Sequence, residues 1–205
     1  MISHAILVIL SYLLGSIPTG LLLARVKGID IRKTGSGNIG FSNVMRVVGK
    51  DRQGKILGLL TLLGDMGKGA LAVRLGLFYG NSFDPFLAGL FVFLGHLFSF
   101  WLRGRGGKGV ATGLGVALGL DPLFGLLICL PWLILYLATR TASIASLGSF
   151  ALMPFLSLLW ERNHSIVPHS LPQGSTLLFL IMAILVFIRH RDNIARLLSN
   201  NENKL

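Results

Sequence analysis

The sequence predicts an all-α polytopic membrane protein with seven transmembrane helices, the N-terminus outside and the C-terminus cytoplasmic, in one domain over residues 1–205. Three observations predict it. Apolar residues make up 53% of the chain and charged residues 13%, about half the charged share of a soluble domain. The apolar residues fall in blocks near the roughly 20 residues that a bilayer-crossing helix needs. Lys and Arg collect in alternate connecting segments between those blocks, as the positive-inside rule requires.

The first span covers residues 2–24. Its apolar run has neither a basic segment before it nor a small-residue cleavage site after it, so it reads as a retained helix. Pro18 predicts a kink there, and the small residues of Gly15-Ser16-Ile17-Pro18-Thr19-Gly20 allow close helix packing. Residues 25–55 are polar and rich in Gly, Ser and Thr. The second span is 56–80; Asn81-Ser82-Phe83-Asp84-Pro85 turns the chain into the third, 86–102. A basic glycine loop, 103–108, leads to spans four and five, 109–120 and 123–139, separated by Asp121-Pro122; span four is short for a full crossing. Residues 140–143 lead to span six, 144–160, and a polar loop, 161–174, leads to span seven, 175–188, and the tail, 189–205.

With the 25–55 loop assigned to the cytoplasm, that side holds Arg25, Lys27, Arg32, Lys33, Arg46, Lys50, Arg52, Lys55, Arg103, Arg105, Lys108, Arg140, Arg189, Arg191, Arg196 and Lys204, which is 16 of 19 cations. Arg162 lies in an opposite-side loop, and Lys68 and Arg74 lie inside span two. Six spans would break this alternation. The net charge of +11 is therefore a topology and lipid-headgroup signal rather than a nucleic-acid one. The lone cysteine, Cys129, excludes an intrachain disulfide; no Cys/His zinc spacing exists, the acids do not cluster, and neither metal nor cofactor is expected.

Function has to come from the glycine patterns. Gly35-Ser36-Gly37-Asn38-Ile39-Gly40 fits G-x-G-x-x-G, but a dinucleotide site needs a preceding strand and a later acid, and here a membrane helix precedes and an apolar run follows. What remains is an anion nest of bare backbone N–H groups. Ser36, Asn38, Ser42 and Asn43 add neutral donors, and Arg46 adds a planar fork suited to phosphate. Gly104-Arg105-Gly106-Gly107-Lys108-Gly109 is not a Walker loop, since Leu102 and Gly109 stand where Gly and Ser/Thr belong. It still places a lysine at a helix start, where free N–H groups and the dipole favour anions. Topology explains its cations but not its four glycines.

Other residues admit two readings. Ser143 and Ser146 are helix caps or site hydroxyls. His190, in Arg189-His190-Arg191-Asp192-Asn193, binds phosphate, moves a proton, or belongs to a basic juxtamembrane tail. Asp65 and Lys68 share a helix face as a structural ion pair or as functional groups. His96 sits in the cytoplasmic half of span three and serves a neighbouring helix by a hydrogen bond or the site; His4, His164 and His169 lie on the far side, without chemistry.

These blocks resemble the acyl-phosphate:glycerol-3-phosphate acyltransferase (PlsY) family of bacterial phospholipid synthesis. The resemblance runs in order through GSIPTG, GSGNIGFSN with Arg46, GDMGKG, GHLFSFWLRGRGGKGVATGLGV, TASIASL and RHRDNIARLL, across nearly the whole chain. It implies transfer of an acyl group from acyl phosphate to the 1-hydroxyl of glycerol 3-phosphate, giving lysophosphatidic acid and phosphate, in the bacterial inner membrane with the site facing the cytoplasm. Carried onto matching positions, it implies Ser36, Arg46, Lys108 and His190 as catalytic residues and Asn38, Gly107, Gly109, Ser143 and Asn193 as substrate- or phosphate-binding ones. It also implies that the phosphate of glycerol 3-phosphate takes the hydroxyl proton, with His190 as the alternative base. The His-x₄-Asp pair of other glycerolipid acyltransferases is missing, since Ile9, Trp101, His169, Gly174 and Ala195 stand five positions after the histidines. The chain departs from the family pattern at Phe41-Ser42 (commonly Ala-Thr), Ser99 (commonly Pro), Arg105 (commonly Lys) and Asn200-Asn201-Glu202, which stands for the usual glycine and glutamate; Phe41 would narrow the groove. The rival readings are a transporter of phosphorylated small molecules, for which no inverted repeat is seen, and a non-catalytic scaffold, which leaves the glycine loops unexplained.

Overall fold

In the computed structural model, residues 3–49, 52–162 and 171–202 are described, and among them the regular structure is entirely helical. Lys50, His164, His169 and Lys204 lie outside the described residues.

The first predicted span is broken rather than kinked. Helix α1 (His4–Ser16) stops at Ile17, whose ψ of 116° is the extended conformation that a following proline demands, and α2 (Thr19–Arg25) starts beyond Pro18. The Ile17 carbonyl, outside both helices, accepts from Lys68 Nζ at 2.9 Å. The polar 25–55 segment is not all loop. It contains α3 (Phe41–Val48), eight residues that bury Asn43 and Val44. So short a helix is unstable alone and forms here by packing on α4 (Arg52–Tyr79). Next come α5 (Asp84–Leu97), a 3₁₀ turn (Phe100–Leu102), α6 (Val110–Leu120) and α7 (Pro122–Thr139), with the Asp121 carboxylate capping α7 through the Phe124 N–H at 2.7 Å. Helices α8 (Ala142–Arg162) and α9 (Ser175–Arg189) follow, and the predicted tail contains α10 (Arg191–Leu198).

Among the described residues, five helical stretches are long and apolar enough to cross a membrane: His4–Arg25, Arg52–Tyr79, Asp84–Leu102, Pro122–Thr139 and Ala142–Arg162. Val110–Leu120 and Ser175–Arg189, two of the predicted spans, are apolar but shorter.

Glycine sets how closely the helices cross. A Cβ at Gly69 would lie 2.3 Å from the Thr112 carbonyl oxygen, and one at Gly115 would lie 2.0 Å from that of Met66, so α4 and α6 touch backbone to backbone. Such small-residue contacts drive association where lipid removes the hydrophobic incentive. Phe93, Phe124, Phe150 and Phe179 fill the interior. Leu126, Leu130, Leu133 and Leu137 line the outer face of α7, each about half exposed, a surface suited to hydrocarbon rather than water. At the end away from the cationic loops, His4 pairs with the buried Asp84, which also accepts the Asn81 N–H.

Candidate active site

Four connecting segments, far apart in sequence, meet around a cavity of about 90 Å³. Ser36, Asn38 and Arg46 reach it from the first glycine segment and α3; Lys108 and Gly109 from the second; Ser143 from the start of α8; His190 and Asn193 from the end of α9 and from α10. Of the predicted site residues, Gly107 alone does not line it. Its N–H donates to the His96 carbonyl at 2.9 Å and its own carbonyl accepts from the Arg189 guanidinium, so its backbone groups are engaged in holding the loop.

The first glycine segment is pinned from beneath. Asn43, expected to add a donor for anions, is buried at 1% exposure and faces the loop itself. Its Oδ1 accepts the Ser36 N–H at 2.8 Å, and its Nδ2 donates to the Ile31 carbonyl at 2.9 Å and that of Thr34 at 3.2 Å. The turn needs positive φ at Gly35 (61°) and Gly37 (69°), which glycine supplies without strain. Arg46 lines the cavity with no ion pair or hydrogen bond among the described residues.

The second segment is clamped from two sides. The N–H groups of Gly106 and Gly107 donate to the last carbonyls of α5, and the Arg189 fork from α9 grips both of their carbonyl oxygens at 2.8–2.9 Å. These glycines therefore serve close packing rather than an anion nest. The anion-seeking donors are one step on. Gly109 caps α6 with no side-chain hydrogen bond, and Gly109, Val110 and Ala111 line the cavity, so an uncapped helix N-terminus faces it. The Thr112 hydroxyl in the same first turn is buried without a partner among the described residues.

Lys108 Nζ donates to Asn193 Oδ1. Burial lowers the Lys108 ammonium to about 8, against the opposing pull of Glu202. His190 is buried, and its Nδ1 donates to the Val186 carbonyl at 2.8 Å, which leaves Nε2 as the unprotonated nitrogen. Burial, then the Lys108 charge, lowers it to about 4, so near neutral pH it is an uncharged acceptor rather than a phosphate-binding cation.

Two residues missed as site groups hold the rest in place. Glu202 accepts from Ser143 Oγ at 3.0 Å, from Asn193 Nδ2, and from Arg196 Nε at 2.7 Å, tying α8 to α10 at the cavity wall. Burial pushes its carboxyl up, but those three bonds outweigh it and the net direction is down. Ser143 is thus no helix cap, and Ser146, whose Oγ donates to the Ala142 carbonyl at 2.6 Å, is none either. Arg196 follows Asn193 by three residues and so shares its helix face; that spacing was the available signal. Asp65 and His96 also line the cavity. Asp65 pairs with Lys68 at 2.8 Å, both nearly fully buried, and His96 Nδ1 lies 3.7 Å from Asp65. Among the described residues no group of three His, Cys, Asp or Glu side chains is placed to hold a metal ion.

The sequence pattern of one family, Glycerol-3-phosphate acyltransferase, matches residues 5–200. The chain is 43% identical over 206 residues to a glycerol-3-phosphate acyltransferase of Geobacter sulfurreducens, covering 100% of this chain and 98% of that protein. It is 44% identical over 195 residues to one of Nitrobacter winogradskyi, covering 95% and 92%. Among solved structures it is similar to PlsY (YgiH), an integral membrane glycerol 3-phosphate acyltransferase, at 33% identity. The glycerol 3-phosphate form superposes with a TM-score of 0.87 over 98% of this chain and 95% of that one. The lysophosphatidic acid form gives 0.85 over the same shares.

Proposed function

This chain belongs to the glycerol-3-phosphate acyltransferase family and is an integral membrane enzyme that acylates glycerol 3-phosphate, and from that premise we propose that acyl phosphate is its donor and the cavity its active site. The carrying observation is that Arg46, Lys108 and the uncapped start of α6, from three separate segments, line one cavity together with a neutral histidine. Both reactants carry phosphate, and such an array binds two phosphates at close quarters. Holding them together removes the entropic cost of a bimolecular encounter.

In the reaction so read, the 1-hydroxyl oxygen of glycerol 3-phosphate attacks the acyl carbonyl carbon. Charge builds on the carbonyl oxygen and on the leaving phosphate, where Lys108 and the α6 N–H groups offset it. The bond from carbonyl carbon to phosphate oxygen breaks, releasing phosphate and lysophosphatidic acid. The hydroxyl proton has two acceptors within reach: His190, near 4, and the substrate phosphate, whose second ionisation lies near ~6. We take the phosphate as the acceptor, as the family resemblance implies, since burial and the Lys108 charge make His190 a weak base in the free protein. His190, held by its Nδ1 on the Val186 carbonyl, lines the cavity beside the reacting groups, while Ser36, Asn38, Ser143 and Asn193 orient the phosphates.

The enzyme acts as one domain in the bacterial inner membrane, with seven crossings, the N-terminus outside, and the site and C-terminus at the cytoplasm. The cation distribution supports this, with 16 of 19 on one side when Arg25, Lys27, Arg32, Lys33, Arg46, Lys50, Arg52, Lys55, Arg103, Arg105, Lys108, Arg140, Arg189, Arg191, Arg196 and Lys204 are counted. Purified protein with palmitoyl phosphate and glycerol 3-phosphate tests the donor: release of lysophosphatidate and phosphate in equal amounts is expected. Product from palmitoyl-CoA but none from palmitoyl phosphate would overturn it.

A further inference from the structure

We propose that Phe41, Trp132 and Tyr136 form a wall that sets which acyl chains the site accepts; the proposal rests on acyl phosphate being the donor. Phe41, with Val110, Ala111 and Ala142, makes the apolar part of a cavity whose other side chains are polar. Its ring meets Trp132 edge-on, centroids 5.7 Å apart at 65°. Trp132 stacks on Tyr136 at 5.2 Å and 14°. Its Nε1 donates to Ser146 Oγ at 3.3 Å, and Ser146 itself lines the cavity, so rotating the indole away breaks a buried hydrogen bond. The three rings form a column that starts at the cavity and runs along α7, from buried Trp132 to partly exposed Tyr136.

Helix α7 also carries a leucine-lined outer face. A donor's carbonyl has to sit among the polar groups while its tail leaves through apolar lining toward lipid. The column stands at that passage. Phe41 meets the carbons nearest the carbonyl, and Tyr136 meets those farther out. Packing of this kind discriminates single methylenes by roughly 10- to 200-fold.

The test measures kcat/KM for a series of acyl phosphates, straight chains from short to long and methyl-branched ones, on purified wild type, Phe41→Ala, Phe41→Leu and Tyr136→Ala. Phe41→Ala is expected to raise branched donors relative to straight ones by about ten-fold or more. Phe41→Leu, which keeps an apolar residue at the start of α3, is expected to give a smaller change of the same sign. Tyr136→Ala is expected to alter the longest chains alone. If the folded Phe41→Leu and Tyr136→Ala proteins scale every donor equally, the proposal is overturned. A wild type inactive with every acyl phosphate would instead sink the donor reading, and that result is visible before any variant is made.

Discussion

Lys108 carries more of the proposed chemistry than any other side chain, and its protonation is the property most open to measurement. Burial holds its ammonium near 8 in the free protein. Above that pH the charge is lost, so kcat/KM for glycerol 3-phosphate should fall about ten-fold per pH unit on the alkaline side, the free-enzyme limb of a pH profile. Lys108→Arg keeps its charge throughout; it should remove that limb while lowering the plateau, because a planar fork cannot reproduce the ammonium's contact with Asn193. Lys108→Ala should cost ~10²–10³ in kcat, the scale of a lost oxyanion donor. An unchanged alkaline limb in Lys108→Arg would assign the titration to another group. Glu202→Gln keeps shape and loses charge. Its three hydrogen bonds weaken, and the variant should lose about 1.5–3 kcal/mol of stability, read as a lower Tm in detergent, along with activity as Asn193 and Ser143 lose their anchor. The cationic and hydroxyl-bearing residues of the site were legible from sequence because a residue type announces what it can bind. Glu202 and Asn43 were not, since an acid in a tail and an amide in a glycine segment show their role only once the chain has brought their partners within reach.

At the scale of elements, the apolar blocks were legible and the short helices were not. Residues 41–48 and 191–198 carry loop-like or charged composition and become helical through packing, which periodicity over eight residues cannot reveal. Pro18 announced a distortion, but whether the helix bends or breaks depends on what satisfies the freed carbonyl, and Lys68, distant in sequence, does so. Lys68→Met should therefore be costly. It strands the buried Asp65 carboxylate and removes the ammonium from the Ile17 carbonyl, a loss of about 3–5 kcal/mol by analogy with half-broken buried pairs. Asp65→Asn combined with Lys68→Met should recover part of it, because no charge is then left alone. Thermal unfolding of the single and double variants measures this, and equal Tm losses in the two would show that the stranded Asp65 carboxylate carries no penalty. The second glycine segment offers a sharper case. A Cβ at Gly106 would lie 2.0 Å from the His96 carbonyl oxygen, so Gly106→Ala should displace Lys108 and raise KM for glycerol 3-phosphate.

At the scale of the whole molecule, the cavity's own connectivity supports the seven-crossing topology that helix length alone leaves open. Between Arg46 and Lys108 the chain runs out along α4 and back along α5; between Ala111 and Ala142 it uses α6 and α7; between Ser146 and His190 it uses α8 and α9. Each return to the same cavity takes two helices, so the proposed seven-crossing scheme makes α6 and α9 traverses, although α6, at 11 residues, extends only about 16 Å against a hydrocarbon core of about 30 Å. In that scheme the broken first helix is the odd traverse, with the N-terminus at the opposite end. Cysteine labelling checks it. Cys129 is the sole native cysteine, so Cys129→Ser provides a clean background. In that background Asn81→Cys, in the α4–α5 turn, should react with a membrane-impermeant maleimide added outside intact spheroplasts. Arg105→Cys, on the exposed side of the second glycine segment, should react only after permeabilisation. Labelling of both from the same side would contradict any scheme in which α4 and α5 are separate crossings, and with it the placement of the site at the cytoplasmic face.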